Sequence, residues 1–199
     1  MTVDLSDAFR PTDDDLARLR ARLVAAATDG GLVDVAYRVV GSPLGELLIA
    51  ATERGLVRVA FASEGHDSVL QSLADRISPR ILRAPARLDA VARELDDYFA
   101  GRRRSFDLPL DRQLSRGFRR TVLDHLARDV AYGHTASYAT LAALAGNPKA
   151  YRAVASACST NPIPIVVPCH RVIRSDGEIG EYLGGGAAKR MLLALEAAA

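Results

Sequence analysis

SYATLAALAGNPKAYRAVASACSTNPIPIVVPCHRVI, residues 137–173, holds three kinds of segment in a row. The first, entered from His134, has a Thr or Ser cap, a run of Leu and Ala, and Gly146 where a helix would stop. Asn147 is a good N-cap and Pro148 a good first helical residue, so a second helix is expected to start there. Two short helices about a tight Gly-Asn-Pro turn make a helix-turn-helix candidate. Its second helix carries Lys149 and Arg152 among small alanines, which let a helix approach a groove wall or pack closely on another helix. The third segment, NPIPIVVPC, is apolar enough for a core and ends in Pro168-Cys169-His170-Arg171. A thiol attacks as thiolate, and a neighbouring imidazole or guanidinium favours that form. Adjacent residues of a strand point to opposite sides, so a Cys169–His170 contact requires a turn or a bridging water. On the residues alone, an inert buried thiol and a nucleophile both remain open.

The totals narrow the setting. With 199 residues and 49% hydrophobic content the chain can bury a real core, as one large domain or two small ones. MTVDLSDAFRPTDDD lacks the basic start and apolar stretch of a secretory signal, and no apolar run is long enough to span a bilayer. A cytoplasmic protein without membrane association is expected. Cys158 and Cys169 are the only cysteines, so neither a disulfide framework nor a zinc site is expected. The charge is uneven. Residues 1–111 hold 15 basic against 18 acidic side chains, whereas residues 112–199 hold 11 against 6. No carboxylate lies between Asp129 and Asp176, a stretch that includes Lys149, Arg152, Arg171 and Arg174. Either a polyanion lies there or the stretch is mostly core.

Outward to the N-terminus, VDVAYRVV, GELLIAATE and LVRVAFA are short and β-branched, and GSPLG and RG separate them, which predicts a small antiparallel sheet. Helices are expected over His66–Ile77 and Leu88–Phe99, followed by the connector GRRRSFDLPLD. RGFRRTVLDHLARD places Phe118, Val122 and Leu126 on one helical face. Ahead of the sheet, Thr12 caps a predicted leading helix whose Leu16, Leu19 and Leu23 would pack on the body. The Gly-rich GEIGEYLGGGAAKR lacks the order of a phosphate loop, and AAKRMLLALEAAA closes the chain as a helix.

Pro168-Cys169-His170-Arg171 inside NPIPIVVPCHRVI resembles the hallmark of the O6-alkylguanine-DNA alkyltransferases, or methylated-DNA–protein-cysteine methyltransferases. The likeness extends through SYATLAALAGNPKAYRAVASAC, GEYLGGGAAKRMLLALE, SPLGELLIAATERGLVRVAF and ELDDYFAGRRRSFDLPL, collinear from about residue 35 to 197. It implies an α/β (α+β) fold with three parts. These are an extension over 1–34, a small antiparallel-sheet, ribonuclease H-like domain over 35–108, and a mainly helical, winged-helix-like DNA-binding and alkyl-acceptor domain over 112–199. The implied activity is irreversible, single-turnover transfer of an alkyl group from O6-alkylguanine in duplex DNA, with O4-alkylthymine a second candidate lesion, after the base is flipped out.

In the implied chemistry Cys169 is the nucleophile, His170 the base acting through a water, Glu196 the group that orients the imidazole, and Asn161 a brace for the turn. Tyr138 extrudes the base and Arg152 replaces it in the stack. Lys149, Ala150, Tyr151, Ser159 and Arg171 complete the expected DNA-binding set. The pocket would comprise Val172, Leu183, Tyr182, Gly180 and Cys158, the last read as a small buried residue rather than a second reactive thiol. No metal and no cofactor are implied, and a monomer is expected. The extension departs from the family pattern and is unexplained. Two rivals have other chemistry: a helix-turn-helix damage sensor or regulator without transfer, and a cysteine hydrolase, which leaves Tyr138 and Arg152 without a role.

Overall fold

Strand β2 (Leu47–Thr52) is the centre of the N-terminal half. Its residues 47 to 51 are all buried, so both of its faces are covered. It pairs antiparallel with β1 (Val35–Val40), Tyr37 opposite Ala50, and with β3 (Gly55–Phe61), Leu48 opposite Ala60. These are the three strands expected from alternation and turn residues. A fourth, β4 (Ile81–Arg83), lies parallel to β1 at the edge, giving the order β3-β2-β1-β4. The sheet is therefore mixed, and this strand was not anticipated. It is too short for a period to show, and a crossover through helix α2 (His66–Arg76) delivers it parallel. The computed structural model that gives these coordinates describes residues 12–198. Residues 1–11 of the expected extension lie outside the described residues.

Alternation sends the two sets of strand side chains to different covers. Val35, Leu48, Ala50, Val57 and Ala60 pack with Val69 and Leu73 of α2. Leu47, Ile49, Leu56, Val59 and Phe61 face the other way, toward Val91, Leu95 and Tyr98 of α3 (Asp89–Phe99). That second cluster continues without a break into the C-terminal helices, where Leu123, Leu141, Val154 and Leu192 belong to it. The connector is stitched to the sheet edge: Leu56 donates to the carbonyl of Pro109 (2.8 Å) and Asp111 to that of Leu56 (2.8 Å). Gly55 makes this possible, because a Cβ there would lie 2.1 Å from the Pro109 oxygen.

The C-terminal half comprises α4 (Gly117–Asp129), α5 (Tyr138–Leu144), α6 (Tyr151–Ser159) and α7 (Gly185–Ala197), with a two-residue parallel pair of β5 (Ala136–Ser137) and β6 (Val172–Ile173). Ser137 caps α5, its hydroxyl accepting from Thr140 N at 3.0 Å. Helix α6 begins at Tyr151, later than Asn147-Pro148 predicts. Those residues form their own turn, with Ala150 N donating to Asn147 O (2.9 Å), and Asn then Pro are preferred at its first two positions.

The leading helix α1 (Asp13–Asp29) has the expected cap, with Thr12 and Asp15 bonding reciprocally. Its leucine face does not pack as expected. Leu19 and Leu23 are 56% and 59% exposed, and contact with the core comes instead from Val24 and Ala27 near its end, where the chain turns toward β1. Among the described residues, no helix is long and apolar enough to cross a membrane.

Candidate active site and nucleic-acid interface

The segment that carries Cys169 is held from two sides. Pro162 O accepts from Val59 N of β3 (2.9 Å) and from the Arg58 guanidinium (3.2 Å), fixing the loop after α6 to the sheet edge. Asn161 then ties the loop to itself: its Oδ1 accepts from Ile163 N (3.1 Å), and its Nδ2 donates to Val167 O (2.8 Å) and to Cys169 Sγ (3.1 Å). These bonds hold Ile165 at φ +73°, a left-handed conformation that is unfavourable for a β-branched residue. Residues 161–170 are all buried.

Cys169, His170 and Arg171 form one 3₁₀ turn, not a strand. In such a turn neighbouring side chains do not alternate between opposite faces as they do in a strand. Cys169 is 2% exposed. Burial pushes its thiol up to about 11, against the opposing influence of the Asn161 amide and the Lys189 ammonium. The residues alone left the thiol's state open, with His170 and Arg171 as influences toward thiolate. Both are buried, and Arg171 is already committed to a carboxylate. The resting sulfur is a protonated thiol and needs a base.

His170 can serve as that base. It is fully buried, and its Nε2 lies 2.8 Å from Glu196 Oε1. Burial lowers its pKa from the usual 6.5, with the Glu196 bond opposing, so the ring is neutral at pH 7. The carboxylate draws the ring proton to Nε2, and Nδ1, which has no partner among the described residues, is left as a buried acceptor. Glu196 also accepts from Arg171 Nε (2.8 Å) and Nη2 (3.0 Å), from Tyr98 OH (2.7 Å) and from Gly133 N (3.2 Å). Burial alone pushes this carboxyl up, but the His170 and Arg171 bonds outweigh it and hold the pKa at about 2.

Arg171 corrects an expectation. It is 7% exposed, bonded to Glu196 and to Val130 O (2.7 Å), so it does not belong to a DNA-facing surface. Its charge compensates Glu196 inside the protein. The other expected DNA-binding residues stand at the start or end of α6. Lys149, Tyr151, Arg152 and Ser159 are exposed and Ala150 half-buried, with the Arg152 guanidinium over the Tyr151 ring at 5.8 Å.

Around the thiol, Tyr138 opens α5 half-buried, its phenol pKa raised by burial and then by Cys158 and Cys169. Cys158 is buried, and burial raises its thiol far above the ordinary value. Gly180 takes φ +62°, and a Cβ there would come within 3.3 Å of the Tyr138 hydroxyl. Tyr182 stands edge-on to Phe61 (5.7 Å) and His170 (6.4 Å), and its buried hydroxyl has no partner among the described residues. Leu183 is half-buried beside Asn161 in the groove between the two halves.

Two members of the site were not foreseen. Lys189 is fully buried, donates to Val172 O (2.6 Å), and has its pKa lowered by burial. Tyr98, from the N-terminal half, reaches the Glu196–His170 pair through its hydroxyl. For Lys189 a signal existed. Ala188, Leu192 and Glu196 recur every four residues in α7, and Lys189 stands three before Leu192, on the same face. For Tyr98 none did, since its partners are remote in sequence. Among the described residues, no three of His, Cys, Asp and Glu converge on a possible metal site.

Comparison with known proteins adds likenesses of three kinds, to family models, to curated relatives and to a solved structure. Residues 35–112 match the family model described as the ribonuclease-like domain of 6-O-methylguanine DNA methyltransferase, and residues 117–198 that of its DNA-binding domain. A methylated-DNA–protein-cysteine methyltransferase of Mycolicibacterium paratuberculosis is 36% identical over 162 residues, covering 81% of this chain and 92% of the relative. The mouse protein of that name is 61% identical over 80 residues, 40% of this chain, and the matched part spans only 38% of the mouse protein's length. A crystal structure of Mycobacterium tuberculosis OGT in complex with DNA superposes with TM-score 0.70 at 35% identity, over 82% of this chain and 93% of that one.

Proposed function

The chain belongs to the 6-O-methylguanine DNA methyltransferase family, and on that premise we propose that it repairs O6-alkylguanine in duplex DNA by moving the alkyl group to its own Cys169. The observation that carries this reading is the hydrogen-bonded line from Glu196 to a neutral, buried His170 one residue from a buried thiol. His170 Nδ1 takes the thiol proton through a water. The sulfur then forms a bond to the alkyl carbon as the carbon–oxygen bond breaks, and guanine leaves with the electron pair shared between its O6 and N1 and takes up a proton at N1, which restores the keto base. Asn161 holds the sulfur in line, and Lys189 supplies positive charge beside it. The thioether is not hydrolysed, so each molecule acts once.

Arg152 enters the stack where the nucleotide left, Tyr138 helps to extrude it, and Lys149, Ala150, Tyr151 and Ser159 contact the flanking backbone. The backbone groups of Val172 and Leu183, with Tyr182, Gly180 and Cys158, form the base pocket. The halves 35–108 and 112–199 act as scaffold and DNA-binding unit, behind the extension over 1–34. The protein works as a cytoplasmic monomer. The likeness to a DNA-bound relative supports duplex DNA as the partner.

Titrating lesion-bearing duplex against fixed protein tests the activity. The yield of restored guanine should plateau at one per protein molecule and vanish in Cys169→Ala. Continued turnover, or no conversion, would exclude the reading.

A further inference from the structure

About half of the arginines among the described residues pair with a carboxylate, among them Arg38 with Asp89, Arg58 with Glu64, Arg80 with Asp34, and Arg112 and Arg120 with Asp124. Three that converge on one place do not. Arg76 at the end of α2, and Arg116 and Arg119 at the start of α4, make no ion pair among the described residues, and Arg76 has only a long bond to Leu114 O (3.4 Å). They line two adjoining grooves of about 390 and 310 Å³ that share Arg76, Leu114 and Arg119. Among the described residues that line them the one carboxylate, Glu64, is neutralised by Arg58. The first turn of α4 has no acidic residue and no side-chain cap, so its amide dipoles add to the positive potential. Ser159 and Thr160, at the C-terminal end of α6, form the opposite wall.

We infer that this groove is a second DNA contact, holding backbone phosphates of the strand that runs past the lesion beyond the C-terminal end of α6. The inference rests on the proposed function, since α6 is then the helix laid on DNA. Nine residues make α6 about 13 Å long, the length of about four base-pair steps at 3.4 Å each. The groove therefore lies over flanking backbone rather than over the flipped nucleotide. Exposed guanidiniums without an ion pair among the described residues suit phosphate, because binding releases counterions and breaks no existing ion pair.

The test compares the wild type with the triple variant Arg76→Gln/Arg116→Gln/Arg119→Gln. Affinity for a lesion-bearing duplex is measured by anisotropy across a salt series, on a long duplex and on one trimmed to the lesion and its immediate neighbours. On the long duplex the slope of log K against log salt should fall by about two to three, near 0.9 per phosphate lost. On the trimmed duplex the slopes should coincide. Transfer from the free O6-methylguanine base should be unchanged, and the Arg→Lys triple variant should recover most of the slope. Equal slopes on the long duplex, with free-base transfer intact, would overturn the groove alone. Absence of transfer in the wild type would overturn the underlying activity instead. Loss of both transfer and slope in the Gln variant would be decided by the Lys variant: an unrecovered slope in a transfer-competent Lys protein also rejects the groove.

Discussion

At the scale of single residues, Glu196 decides the chemistry of its neighbours. Five donor contacts from four residues end on one buried carboxylate, which fixes the His170 proton on Nε2 and balances the Arg171 charge. The pH dependence follows in sign. The folded pKa of Glu196, about 2, lies below its ordinary 4.5, so its stabilisation is complete above pH 4.5 and is lost as pH falls toward 2. That shift corresponds to about 3 kcal/mol. His170 is also lowered, from 6.5, so protonation of the unfolded chain begins to erode stability below that pH. Denaturant titrations from pH 7 to 2 should show stability declining below about 6.5 and more steeply below 4.5. Glu196→Gln should remove the steeper limb and cost about 3–5 kcal/mol at pH 7, since it leaves Arg171 buried without a counter-charge. An unaltered acid limb in the variant would mean that other carboxylates dominate it.

At the scale of elements, α6 depends on the turn before it and the loop after it. Asn147–Ala150 fold as a turn, which leaves Lys149 and Arg152 exposed at the start of α6, and Asn161 converts the other end into the thiol-bearing loop. If Arg152 substitutes for the flipped nucleotide, Arg152→Ala should slow repair of duplex lesions tenfold or more while leaving transfer from the free base within about twofold. Single-turnover rates on both substrates check this, and equal losses on both would mean that Arg152 acts elsewhere.

Much of this level was legible in the sequence. Caps, turn residues and period located α1 to α7 and three strands, and the Pro-Cys-His-Arg segment located the thiol. Features decided by distant contacts were hidden. Strand β4 owes its place to a parallel partner, the leucines of α1 find no cover, and Arg171 is drawn inward by a carboxylate 25 residues away.

At the scale of the molecule, the two halves share one apolar cluster and one polar network. Phe61 and Leu95 belong to the same core as Val154 and Leu192, and the Tyr98 hydroxyl crosses from the first half to Glu196 in the second. The sheet thus acts as the back wall that keeps the Cys169 turn rigid, with Val59 and Arg58 gripping Pro162. Charge is divided the other way, with the basic excess in the C-terminal half, where α6 and the free guanidiniums of α4 lie. A wall, a basic face and a buried thiol near a buried imidazole are what the proposed single transfer requires. The most direct measurement is intact and peptide mass spectrometry after incubation with duplex containing O6-methylguanine. The account predicts one added methyl per chain, located on Cys169 and absent in Cys169→Ala. An unchanged mass, or a methyl group on Cys158, would contradict it.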